Sequence, residues 1–481
     1  MMDTSGYFPT SSDLLLPSKE GEARAAEAQN SLSHGLSQSV LIHEVPYAKL
    51  KAMALWITAV LWALVVWRSG KSRSGVAWNV LRKKRLTAHS QSGAAAPAKA
   101  HLIGIPTLPY NRVDQQGFQL KSLRSIVVDS LHEKAVDTQG STLIPPTLFQ
   151  FATTFAEDLI STLGVRVNVT VGTSSQVPDK SIFLTLGAAR NYRDAARRPT
   201  PEGYSLSVNA TGITITGASP LGAWWGTRTV LQQAVLSPDR VVPLGDGSDS
   251  PGWATRGMML DVGRHFYPKD FLIELCAYMS FFKQNTFHLH LSDNLHNNIA
   301  YTRNQSLELY ARFRLYSEAR AVAGLNNFQN ESYTRGDFEE IQQSCAARGV
   351  TILPEIEAPG HALVISQWKP QIGQDYDISL LNISHPETIP AVMDIWTTFL
   401  DWFHCKVVSI GADEYGGQVA DYNRFVNSMA DHIAYVSKKS TRIWGTFPPK
   451  AEYKENIYRN VSIQHWAWFE DDPLVDYIMK N

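Results

Sequence analysis

The chain has 481 residues, enough for two or three domains. Hydrophobic residues make up 44% and aromatics 10%, an ordinary globular composition that excludes a wholly disordered or fibrous chain. A net charge of −1 implies no polyanion-binding surface, and Cys276, Cys345 and Cys405 are too few and too scattered for a disulfide framework or a metal cage, so they read as packing residues with at most one disulfide.

Residues 1–51 are rich in Ser, Ala and Glu without a clear period, and read as a disordered tail or an artefact of the chosen start. Ala52 to Trp67 is an uncharged apolar run of 16 residues, just short of the roughly 17–25 that span a bilayer. It reads as a signal anchor, or as the apolar region of a secretory signal if translation begins at Met53. A buried helix fits less well, because the run has no polar face. Between Arg68 and Arg85 stand seven Lys/Arg and no acid, which by the positive-inside rule would leave all that follows in the cytosol. Six Asn-x-Ser/Thr sequons, at Asn168, Asn209, Asn304, Asn330, Asn382 and Asn460, point instead to the secretory lumen. We take the lumenal reading: outside the cell, on its surface, or in a lysosome- or vacuole-like compartment. Arg82-Lys83-Lys84-Arg85 resembles a dibasic processing site and equally a basic juxtamembrane run. Residues 91–100 form a Ser/Ala/Pro linker, closing a basic and linker region of 68–100.

Residues 101–250 read as a smaller α+β domain with a supporting role. Val165 to Val171 alternates, Ser181 to Leu186 is a second strand, and Tyr204 to Val208 with Ile213 to Thr216 forms a hairpin about Asn209-Ala210-Thr211-Gly212. Helices near Thr147 to Leu163 and Leu221 to Leu236 could cover one face of this sheet.

From 251 to the end, apolar runs finish repeatedly in charge or imidazole. They are Met258-Met259-Leu260-Asp261 leading to Arg264-His265-Phe266, Phe287-His288-Leu289-His290-Leu291-Ser292-Asp293, Ile352-Leu353-Pro354-Glu355-Ile356-Glu357 leading to Pro359-Gly360-His361, and Val407-Val408-Ser409-Ile410-Gly411-Ala412-Asp413-Glu414. Helical patterns, such as Asp270 to Phe282 and Asp337 to Ala347, lie between them. This rhythm implies βαβ units and a parallel sheet, and charged strand ends in such numbers favour a (β/α) barrel with its chemistry at the C-terminal face. Asp413 and Glu414 are adjacent, so their side chains leave the chain in different directions. That suits a division of labour better than two carboxylates facing each other in the same role.

These four segments, in this order and at this spacing, resemble glycoside hydrolase family 20, the β-N-acetylhexosaminidases, from roughly Ile103 onward. The resemblance implies an α/β fold: a (β/α)8 TIM barrel preceded by a smaller α+β domain. It implies an exo-acting hydrolase of terminal β-linked N-acetylglucosamine or N-acetylgalactosamine, in which the substrate's 2-acetamido oxygen is the nucleophile. Asp413 would orient that acetamide, and Glu414 would protonate the leaving oxygen and later activate water. Arg264 would hold sugar hydroxyls, Asp293 and His361 would tune Glu414, and Trp444 and Trp466 would wall the acetamide pocket; packing in the core is the commoner role for a lone Trp. His288 and Asp261 read as structural. No metal or organic cofactor is implied. The expected partner is an amino-sugar oligosaccharide. No nucleic acid is expected, membrane contact comes only through residues 52–67, and a homodimer is an option.

Three departures stand out. Ala412 replaces a glycine, and Asn294 replaces an acid after Asp293 within an unusual loop Leu295-His296-Asn297-Asn298. Strand centres at Met258, Phe287, Ile352, Val407, Ile443 and Val461 number six, followed by a helix near Asp472 to Met479, whereas a closed barrel has eight. The expectation is therefore an incomplete barrel that expresses poorly or is inactive: a fragment, a mispredicted gene end or a relative without activity. A sugar-binding relative and a membrane-tethered scaffold are the competing functions, and retention of Asp293, His361, Asp413 and Glu414 argues against the scaffold.

Overall fold

The computed structural model describes residues 101–187, 192–295, 301–447 and 449–466. The expectations for residues 1–100, 296–298 and 472–479 lie outside them. Among the described residues no helix is long and apolar enough to cross a membrane.

The first half is built on eight strands: β1 (His101–Leu102), β2 (Leu108–Gln119), β3 (Ser125–Asp129), β4 (Asn168–Gly172), β5 (Ser181–Leu186), β6 (Tyr204–Val208), β7 (Gly212–Gly217) and β8 (Val241–Asp249). They form one mixed sheet in the order β1-β2-β8-β6-β7-β5-β3-β4. The expected hairpin is β6–β7, with Val208 opposite Ile213; Asn209 Oδ1 accepts from the amides of Thr211 and Gly212 and so holds the turn. The strand expected at 165–171 begins only at Asn168. Helices α1 (Leu148–Leu163) and α2 (Pro220–Leu236) pack together against this sheet. Thr147 starts α1 with a reciprocal cap, its hydroxyl accepting from Gln150 N and Gln150 Oε1 accepting from Thr147 N, and Gly164 ends it at φ +70°.

The second half alternates strand and helix. In chain order it has β9 (Gly257–Asp261), α3 (Lys269–Phe281), β10 (Thr286–His290), β11 (Ser292–Asn294), α4 (Arg303–Leu307), β12 (Ala311–Phe313), α5 (Arg335–Ala346), β13 (Thr351–Glu355), α6 (Leu363–Trp368), α7 (Thr388–Phe399), β14 (Val407–Ser409), α8 (Val419–Ser437), β15 (Ser440–Trp444) and β16 (Ser462–Gln464). Strands β9, β10, β13, β14, β15 and β16 lie side by side in chain order, all parallel, as successive strands of a TIM barrel do. The six expected strand centres fall on or directly beside these strands. The central strand β13 is buried throughout, whereas Met258 and Met259 on the outer strand β9 are more than a third exposed. β11 and β12 form a separate antiparallel pair beyond the end of β10.

The two halves share a polar seam. Asp158 of α1 accepts from Arg228 of α2 and from Arg348 after α5, and Trp224 Nε1 donates to Arg348 O at 2.8 Å. A disulfide joins Cys276 of α3 to Cys345 of α5, and Cys405 is a free, buried thiol.

Candidate active site

Register brings the polar strand ends level. Asp261, His290, Glu355 and Ser409 are successive partners across β9, β10, β13 and β14, and Trp444 pairs with Gln464 at the ends of β15 and β16. All stand at the C-terminal edge of the sheet, the catalytic face of such barrels.

After β14 the chain turns sharply. Gly411, Ala412 and Glu414 have φ of +68°, +65° and +48°, a left-handed run that costs non-glycine residues free energy and persists only where neighbours enforce it. Those neighbours are visible. Glu357 Oε1 accepts from Ala412 N at 2.8 Å, and Tyr422 and Thr446 hydroxyls donate to Ala412 O. A Cβ on Gly411 would stand 1.6 Å from Glu357 Oε2, and one on Gly360 would stand 2.5 Å from Asp413 O, so both positions exclude a side chain. Where the family commonly has a second glycine, Ala412 takes the left-handed conformation itself, with its methyl fully buried.

The turn presents Asp413 and Glu414 differently. Asp413 is largely enclosed; its Oδ1 is buried and finds no hydrogen-bond partner among the described residues. Burial raises its pKa above the ordinary carboxylate value, against the pull of the His361 charge. The Glu414 side chain is 53% exposed, and its Oε2 lies 3.1 Å from His361 Nε2. That hydrogen bond, more than any other influence, lowers the Glu414 pKa. His361, at φ +48° just after the cis Ala358–Pro359 bond, bridges to Asp293 Oδ1 at 3.3 Å through Nδ1. Burial opposes its charge, yet the hydrogen bonds to Asp293 and Glu414 prevail and hold its pKa up at about 10. Asp293 is pulled down to about 2 despite burial, by the imidazoles of His290 and His361.

The structure thus brings Arg264, Asp293, His361, Asp413 and Glu414 together. Arg264 directs Nη1 to Asp261 Oδ2 and Nη2 to Asp293 Oδ2, both at 2.8 Å, and Nε to Asn294 O at 2.9 Å. Asp261 therefore orients Arg264. Asn294 is itself structural, with Oδ1 accepting from Leu363 N. Trp444 stacks on His288 at 5.4 Å and donates to Glu355 Oε2 at 2.8 Å, and Trp466 meets it edge-on at 6.5 Å while remaining 43% exposed.

Beneath these lies a buried tier absent from the sequence-based site. Glu355 accepts from His290 Nδ1, Ser409 Oγ and Trp444 Nε1, with His288 Nε2 3.0 Å away. Burial opposes its ionisation, but these two histidines win and hold it ionised. His288/His290 is a same-face pair two residues apart in a strand, and Glu355/Glu357 repeats that two-residue spacing at the end of the next; that spacing was the available signal.

The profile described as glycosyl hydrolase family 20, catalytic domain, matches residues 253–469, and that of the family's domain 2 matches 105–245. A β-hexosaminidase of Porphyromonas gingivalis is 32% identical over 188 residues, 37% of this chain and 23% of that protein. A β-N-acetylhexosaminidase of Cellulomonas fimi is 27% identical over 322 residues, 61% of this chain and 62% of that protein. The chain thus spans less than two thirds of the length of these relatives. The fold matches that of the GH20 β-N-acetylhexosaminidase of Streptomyces coelicolor A3(2) with a TM-score of 0.58 at 20% identity, covering 78% of this chain and 72% of that one. With both of the family's domains matched in order, and its four strand-end motifs converging on one face of the sheet, the chain belongs to glycoside hydrolase family 20.

Proposed function

We propose that this chain carries the catalytic centre of an exo-β-N-acetylhexosaminidase, which removes terminal β-linked N-acetylglucosamine or N-acetylgalactosamine from chitin oligomers or glycans by substrate-assisted, retaining hydrolysis. The observation that supports it best is the buried, unpartnered Oδ1 of Asp413 one residue from the half-exposed Glu414. An acetamide N–H is a fitting donor for that oxygen. So held, the acetamide carbonyl oxygen attacks the anomeric carbon, and the Asp413 carboxylate offsets the charge of the cyclic intermediate. Glu414 protonates the leaving oxygen as the glycosidic bond breaks, and then takes a proton from the water that opens the cyclic intermediate. In the free chain the proton resides on His361. A docked sugar excludes water from Glu414, raises its proton affinity, and His361 at 3.1 Å can hand the proton over.

Release of p-nitrophenol from p-nitrophenyl-β-GlcNAc tests this. Glu414→Gln lowers kcat by about 10²–10⁴-fold, and Asp413→Asn weakens thiazoline-type inhibitors. A folded wild-type protein that binds the sugar without cleaving it would instead make the chain a sugar-binding relative.

Folding in the secretory lumen belongs to the same proposal. The Cys276–Cys345 disulfide supports it, as do five exposed sequon asparagines: Asn168, Asn209, Asn304, Asn330 and Asn460. A tether through residues 52–67 and pairing of two copies remain parts of this reading.

A further inference from the structure

Glu357 is fully buried, lies just beyond β13, and takes no part in the chemistry above. Its amide donates to Ser292 Oγ, its Oε1 accepts from Ala412 N at 2.8 Å, and Gly411 lies so close to the carboxyl that no side chain fits between them. Among the described residues its Oε2 has no hydrogen-bond partner, and the nearest cationic group is His290 Nδ1 at 4.0 Å, already committed to Glu355. A buried carboxylate oxygen without a donor is among the costliest groups a fold can hold, so the position calls for a proton. A metal ion fits less well: both Glu355 oxygens and both His290 ring nitrogens already have partners.

We propose that Glu357 is a positioning residue whose neutral carboxylic acid braces the left-handed Gly411–Glu414 turn and thereby fixes where Asp413 and Glu414 point. The ionisable groups around it are Asp413 within the braced turn, Glu355 two residues earlier on the same segment, Asp293 on β11, the Tyr422 phenol from α8, and His290 at the end of β10, whose charge alone opposes a neutral Glu357 but is already shared between Glu355 and Asp293. Burial first, then the charges of Asp413, Glu355 and Asp293, push the Glu357 pKa well above its ordinary value. A second negative charge here would repel Asp413 from within the turn that holds it.

The test pairs two variants of the full chain. Glu357→Gln keeps the acceptor and removes the acid; Glu357→Asp keeps the acid and withdraws it by one methylene. The expected result for Gln is kcat within about threefold of wild type with the acid limb of the pH–rate profile unmoved. The expected result for Asp is a kcat lower by about 10²-fold with KM changed far less, since a misplacement near 1 Å can cost that much. A Gln variant as impaired as Asp, or an acid limb shifted to lower pH in Gln, overturns the proposal, because either shows that a charge on Glu357 was in use. Full activity in Asp overturns it too. Should Asp not fold, Gln alone decides. These kinetics rest on the hexosaminidase reading. Infrared difference spectroscopy between wild type and Glu357→Gln at neutral pH does not. It should show the carbonyl band of one un-ionised carboxyl, and a carboxylate band in its place would refute the neutral brace even in a chain without turnover.

Discussion

At the scale of single residues, the site is a row of charges placed in alternation: Arg264, Asp293, His361, Glu414. Its middle pair sets a pH dependence of stability. His361 is held up at about 10, so its contribution is complete below the ordinary histidine value of about 6.5 and is lost as pH rises toward 10. Asp293 is held down at about 2, so its contribution is complete above about 3.9 and is lost as pH falls toward 2. Thermal melts should therefore plateau between about pH 4 and 6.5 and decline on the alkaline side. Asp293→Asn should cost about 3 kcal/mol at pH 6, as removing one partner of a buried pair does, and should flatten that alkaline decline. An unchanged alkaline slope would mean that His361 draws its proton affinity from elsewhere. Asp413 and Glu414 were legible as a pair in the sequence, and so were Arg264, Asp293 and His361 through the order of their motifs. Glu357 was marked only by its two-residue spacing from Glu355, which by itself looks like a solvated strand end until the turn carrying Ala412 is seen folded against it.

At the scale of elements, the barrel sheet is held to the α+β layer by α1, α2 and the turn after α5. Arg228 is fully buried over the Trp224 ring at 3.7 Å, and burial draws its pKa down to about 10 even with Asp158 beside it. Asp158 stays ionised because Arg228 and Arg348 outweigh its own burial. Asp158→Asn should therefore leave two partly or wholly buried guanidiniums uncompensated and destabilise the chain by about 3–5 kcal/mol. Denaturant unfolding measures this, and a loss below 1 kcal/mol would show the seam to be held by packing alone. The helices and strands were partly marked in the sequence: α1 and α2, the hairpin at Asn209 to Gly212 and the apolar runs ending in charge were legible, whereas β1, β2, β3 and β8 were not. The seam was invisible, because Asp158, Arg228 and Arg348 read locally as ordinary helix-surface residues.

At the scale of the whole molecule, the lumenal reading makes its own prediction. Expressed through a secretory pathway, the protein should carry N-glycans at the exposed sequons, and enzymatic deglycosylation should increase its gel mobility; no shift would count against lumenal folding. The sequence by itself determined the family, the strand order and the adjacent carboxylate pair Asp413 and Glu414, because these depend on residue type, local periodicity and the order of motifs along the chain. The three-dimensional arrangement decided the rest. It gave Glu414 a hydrogen bond to His361 while leaving one Asp413 oxygen buried without a partner among the described residues, buried Glu355 and Glu357, and turned Arg264 toward Asp293 and Asp261. Those outcomes depend on groups that are far apart in sequence but level in register at the edge of one sheet. Burial and charge at that edge are properties of the assembled neighbourhood, not of any segment taken alone.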